Sequence, residues 1–267
     1  MRSMLRIWIL AGIVVFAGCI SASAAPIVCD LATATTCTIG DGIFSVYEVH
    51  PSGTGVIDSF VRLQNKITEQ GYNTSYRDVQ FDEKTDPNFT RDLRLTEVGT
   101  TMINGVAYAT FYLDINEPAE KSKEALTLDQ LEIFTTNSSV LTGYTGAANT
   151  SSGTLAGATK IYDMDAAGDS YVQLSYNRIA HGSGSSDMVF YLPMSLFTDQ
   201  YVNLFSQFGS IDGSPAKYGT SQAGFEEWFT KQQEQSRGIT AVPEPATLLL
   251  LGAGLIGCAR RARKILS

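Results

Sequence analysis

Val106-Ala107-Tyr108-Ala109-Thr110-Phe111-Tyr112-Leu113-Asp114-Ile115 alternates with a period of two. In an extended chain, Ala107, Ala109, Phe111, Leu113 and Ile115 share one side, and Tyr108, Thr110, Tyr112 and Asp114 share the other. A helix repeats every 3.6 residues and does not separate these two sets, so the stretch predicts a strand. Shorter segments of the same kind precede it at 43–49, 56–63 and 92–98. Others follow at 126–134, 159–164, 171–176, 188–192 and 201–205. Gly, Ser, Asn and Asp punctuate the gaps, as turns require. The pattern predicts a mainly β fold, a β-sandwich of jelly-roll type. Residues 64–71 have room for a short helix. Residues 137–158, rich in Thr, Ser, Gly and Asn, read as a long loop. Residues 225–229 form either a closing strand or one helical turn.

Composition agrees with a packed core. Of 267 residues, 44% are hydrophobic and 17% charged, which excludes a disordered polyelectrolyte and a coiled coil. The 24 glycines follow no three-residue period, so a collagen-like chain is excluded as well.

Both ends read as addresses. Arg2 and Arg6 precede the apolar run 7–17, which is short for a membrane span, and Ala22-Ser23-Ala24 offers the small side chains that a signal peptidase accepts. Residues 1–24 are therefore read as a signal peptide, cut after Ala24. A competing lipoprotein reading uses Phe16-Ala17-Gly18-Cys19, with Cys19 lipidated. At the other end, Val242-Pro243-Glu244-Pro245 precedes the apolar run 246–259 and the basic cluster Arg260, Arg261, Arg263 and Lys264. Two prolines flanking a glutamate cannot continue a helix, so the tetrapeptide stays extended and accessible. The apolar run reaches only ~21 Å as a helix at 1.5 Å per residue and needs snorkelling arginines to span. Those cations keep the terminus cytoplasmic.

This tripartite tail, residues 242–267, resembles the PEP-CTERM sorting signal, also labelled an ice-binding protein C-terminal domain although it concerns sorting. The resemblance implies an exported protein anchored transiently in the inner membrane. It further implies processing there by an exosortase, with a destination at the cell surface or beyond. A second resemblance is carried by Leu113-Asp114-Ile115-Asn116-Glu117, the segments 126–131 and 162–165, Gly182-Ser183-Gly184-Ser185-Ser186-Asp187-Met188, and Gly224-Phe225-Glu226-Glu227-Trp228. These are similar to a recurrent domain of exported PEP-CTERM proteins, a group associated with exopolysaccharide. The resemblance implies no established activity.

Residues 25–241 are then the exported domain. Without Arg2, Arg6, Glu244 and the four basic residues of the tail, 13 basic and 26 acidic side chains remain, a net charge of −13. Such a surface repels nucleic acid and suits Ca²⁺. Cys29 and Cys37, eight positions apart in an exported chain, are expected to pair.

Catalytic signals are weak. His50 and His181 are the only imidazoles, and neither lies in a G-x-S-x-G elbow. Carboxylate pairs suited to glycoside hydrolysis can be drawn from Asp114 with Glu117, Asp163 with Asp165, and Glu226 with Glu227. None stands out, and all are read as solvated strand ends and turns. Asp163, Asp165 and Asp169 form a possible oxygen-donor site for Ca²⁺, though Ala167 and Leu174 occupy positions where an EF-hand needs ligands. Tyr72, Tyr76, Tyr144 and Tyr218 could stack on sugar, but a β fold consumes such rings as packing. The expectation is an exported, non-catalytic envelope or matrix protein associated with exopolysaccharide. The alternatives are a secreted polysaccharide hydrolase and an envelope lipoprotein.

Overall fold

A computed structural model describes residues 27–49, 57–118, 125–146, 152–176, 186–209, 219–222 and 224–230. The signal peptide, Cys19, His50, His181, Tyr218 and the sorting tail lie outside the described residues.

The fold is mainly β. Its strands in chain order are β1 (Ile27–Asp30), β2 (Thr36–Ile39), β3 (Gly42–Val49), β4 (Ser59–Leu63), β5 (Lys66–Ile67) and β6 (Glu69–Tyr72). Then come β7 (Leu93–Arg94), β8 (Gly99–Ile103), β9 (Val106–Ile115), β10 (Ala125–Thr136), β11 (Tyr144–Thr145) and β12 (Thr154–Leu155). The last are β13 (Thr159–Asp163), β14 (Ser170–Ser175), β15 (Ser186–Pro193), β16 (Tyr201–Phe208), β17 (Ser221–Gln222) and β18 (Glu226–Phe229).

Two seven-stranded sheets dominate. The first runs β1-β14-β10-β16-β6, with β13 on β10 and β7 on β16; the second runs β2-β3-β15-β9-β18-β4, with β8 on β9. Pairing is antiparallel except for β1, which lies parallel to β14. The alternation in 106–115 has the expected effect. Phe111, Leu113 and Ile115 join Phe44, Phe190 and Trp228 from their own sheet in one core, with Leu128, Leu131, Ile133, Val172 and Leu204 from the other sheet. Trp228 Nε1 donates across to Ser206 Oγ at 3.1 Å. The Tyr162 and Phe190 rings meet 5.1 Å apart, again one from each sheet.

The opposite faces are less exposed than a period-two pattern suggests. Tyr112 stacks on Phe229 with centroids 5.3 Å apart, and with Val189 forms a second apolar patch. On the other sheet, Tyr144 from the Thr/Ser/Gly-rich segment lies on Phe205, 4.0 Å and 6° from parallel. The expected long loop is thus in part a cover: its β11–β12 pair packs Tyr144 and Leu155 over Phe134, Phe205 and Tyr72.

Two expectations are corrected, and one open alternative is decided. Residues 64–71 are extended, not helical. Ile67 turns at φ 75°, β6 pairs with β16, and the space a Cβ on Gly71 would need is filled by Glu83 and Leu63. The 92–98 segment contributes only Leu93–Arg94 as strand. Its remainder is a 3₁₀ turn, Leu95–Glu97, closed by Val98 N–H on Leu95 C=O at 3.1 Å. Residues 226–229 are a strand, held between β9 and β4.

Cys29 and Cys37 are disulfide-bonded, with Cα atoms 5.8 Å apart. Because β1 belongs to one sheet and β2 to the other, the bridge links the two sheets.

Candidate functional site

At one end of the strands, a groove of about 950 Å³ opens between segments a hundred residues apart. One wall is the 3₁₀ turn after β7 and the start of β8, contributing Arg94, Thr96 and Thr100. The other is the segment entering β16, contributing Thr198, Asp199 and Gln200. Leu95 N–H donates to Gln200 C=O at 2.8 Å and ties the walls together. The Arg94 guanidinium lies 5.3 Å from the Tyr201 ring centroid. Leu95, Val98 and Met194 add apolar surface.

Asp199 is held firmly. Its Oδ2 accepts from Thr135 Oγ1 at 2.8 Å and Thr198 Oγ1 at 3.3 Å, and its Oδ1 accepts from Asn137 Nδ2 at 2.9 Å. It is the one carboxylate among the described residues lining the groove. Planar amide, carboxylate and guanidinium groups beside hydroxyls and apolar surface suit a polyhydroxylated ligand. The paired carboxylates that glycoside hydrolysis requires are not in the lining.

The carboxylate pairs singled out in the sequence lie elsewhere, and most are not solvated. Asp114, Glu117, Asp165, Glu226 and Glu227 are buried. Asp114 meets Asp187, whose carboxyl burial pushes up to about 8 although Ile115 N–H donates to it at 2.7 Å. Glu227 is ion-paired with Arg62 at 2.6 Å. Glu117 and Glu226 converge with Glu69, three carboxyls sealed inside the protein. Burial pushes Glu117 up to about 7. Sequence reasoning missed Glu69 and Asp187, since neither has a carboxylate neighbour along its own strand.

The turn after β13 is built as its spacing suggests, but its oxygens serve the protein. Asp163 Oδ2 takes Lys160 Nζ at 2.8 Å and Ser152 Oγ at 2.8 Å. Asp165 Oδ1 accepts from Ser170 N–H at 2.8 Å, and burial raises its carboxyl to about 7. Asp169 is exposed. Among the described residues, no group of three or more His, Cys, Asp or Glu side chains is placed to hold a metal ion. Lys160 also reaches buried Glu132 at 2.7 Å, beneath Tyr144. Of the four tyrosines considered for sugar stacking, Tyr72 and Tyr144 are core and Tyr76 is exposed.

A family model described as the PEP-CTERM protein-sorting motif matches residues 241–264. No curated protein and no solved structure matches the chain. Among the described residues, no helix is long and apolar enough to cross a membrane; the apolar run 246–259 lies outside them. The chain carries a PEP-CTERM sorting signal, which marks it as an exported, membrane-transiting protein processed by an exosortase.

Proposed function

We propose that this chain is a non-catalytic module of the cell envelope or extracellular matrix, delivered through its sorting tail, whose exported domain holds exopolysaccharide in the groove between Arg94 and Asp199. The observation that carries the reading is the match at 241–264 joined to a groove with a single, fully hydrogen-bonded carboxylate. A glycosidase places one carboxyl on each side of the scissile bond, and Asp199 has no such partner in the lining. Arg94, Gln200 and the threonines can donate to sugar hydroxyls, and the apolar surface of Leu95, Val98 and Met194 can take a sugar face.

We read the scaffold as a β-sandwich in which the two seven-stranded sheets face one another. Their shared core and the contact of Trp228 with Ser206 support this. The signal peptide 1–24 with its cut after Ala24 belongs to the same proposal.

The test is binding of the purified exported protein to exopolysaccharide from the producing cells, with reducing ends assayed in parallel. Retention without release of reducing sugar, weakened about tenfold (~1.4 kcal/mol) by Asp199→Ala or Arg94→Ala, is the expected result. Release of reducing sugar would point to the hydrolase instead.

A further inference from the structure

Glu226 on β18 is wholly buried, and both of its carboxyl oxygens lack a hydrogen-bond donor. It lies within hydrogen-bonding reach of two other carboxyls, Glu69 on β6 and Glu117 just past β9. Those two are provided for. Glu69 Oε2 accepts from Asn65 N–H at 2.8 Å and Ser221 Oγ at 3.3 Å, while Glu69 Oε1 is unpartnered. Both oxygens of Glu117 accept from Gln222 N–H, at 3.0 and 3.1 Å. Strand β17 thus supplies donors to the flanking carboxyls and none to the central one.

Among the described residues, no cation compensates the group. Beside it stands Asp114 on β9, with Asp187 on β15 against Asp114, while Asp82 beyond β6 faces Glu69. Arg62 on the neighbouring β4 is committed to Glu227, and its guanidinium sits 3.6 Å from the Phe89 ring centroid. An isolated buried carboxylate costs far more than a protein's whole stability, so such a group keeps its proton. Glu226, lacking any donor, is the proton carrier, and the unpartnered Glu69 Oε1 is its natural acceptor.

We propose that Glu226 and Glu69 share one proton in a carboxyl–carboxylate hydrogen bond between the two sheets, and that losing this proton releases β18 from β6. It is an acid-closed latch on the last described strand before the sorting signal. Burial and the surrounding negative charge act in the same direction, raising the Glu226 carboxyl well above its usual range.

The test uses the full chain in detergent. Infrared spectra of the wild type at neutral pH should contain, within the carbonyl band of protonated buried carboxyls to which Asp187 also contributes, a component that Glu226→Gln removes. The wild-type melting temperature should fall as pH rises from 6 to 9, and Glu226→Gln, which stays neutral, should flatten the alkaline part of that fall. If that variant does not fold, Glu69→Gln takes its place: it removes the acceptor carboxylate, so the same component should shift, and its persistence unchanged would overturn the shared proton. Lack of the component at neutral pH would overturn the shared proton as well. A component lost with no change in melting temperature would overturn the release.

Discussion

Trp228 is the largest side chain wholly excluded from solvent among the described residues, and its indole N–H reaches Ser206 on the opposite sheet. Trp228→Ala removes that bond and leaves a large cavity, so a loss of about 3–5 kcal/mol is expected from denaturant titration. A loss under about 1 kcal/mol would mean the sheets do not depend on this contact. Asp165 sets a different question. Its carboxylate accepts Ser170 N–H, and Asp163 is already neutralised by Lys160. A Ca²⁺ ion would have to displace Lys160 before Asp163 could ligate it. The expected melting temperature is therefore the same in EDTA and in millimolar Ca²⁺. A rise with Ca²⁺ that Asp165→Ala abolishes would instead show Asp163, Asp165 and Asp169 to be a metal site.

At the scale of elements, the disulfide closes a short loop between β1 and β2 and so joins one sheet to the other. Reduction, or Cys29→Ser with Cys37→Ser, is expected to cost roughly 2–3 kcal/mol by loop-closure entropy, read as a shift in the denaturation midpoint. Free thiols in non-reducing peptide maps would contradict the pairing. The strands with strong alternation, β9 and β14, were legible in the sequence because apolar residues recur at every second position, Ala107 to Ile115 in one and Val172 with Leu174 in the other. β8 was not, since its residues alternate between exposed and half-buried and it is fixed by its turn. Asn104 and Gly105, both at positive φ, form the tight reversal into β9, and that dipeptide was the signal available. The 64–71 segment misleads for the opposite reason: Glu69 looks like a solvent-facing helix residue, yet tertiary packing buries it. The groove has no local signature at all. Arg94 and Asp199 are unremarkable polar residues until folding brings their segments together.

For the whole molecule, the buried carboxyls fix the sign of the pH dependence. Glu117 and Asp165, at about 7, and Asp187, at about 8, are all raised above the range near 4 to 4.5 typical of unfolded chains. Between those limits the native state holds more protons than the unfolded one. Stability is therefore greatest in mild acid and falls as pH rises through 7 and 8. Calorimetric scans from pH 5 to 9 should show a declining melting temperature, and a maximum at pH 8 or above would contradict the burial of these groups. The large negative charge of the exported domain adds self-repulsion in the same direction.

Delivery rests on the tail, and it can be tested on the intact protein. The decisive measurement is the intact mass of the mature protein, wild type against Pro243→Ala, Glu244→Ala and Pro245→Ala combined. Wild type should lack the cluster Arg260, Arg261, Arg263 and Lys264, while the triple variant should accumulate uncut at its C-terminus in the inner membrane. Masses that differ only by the three substitutions, with Ser267 retained in both, would contradict sorting through this motif.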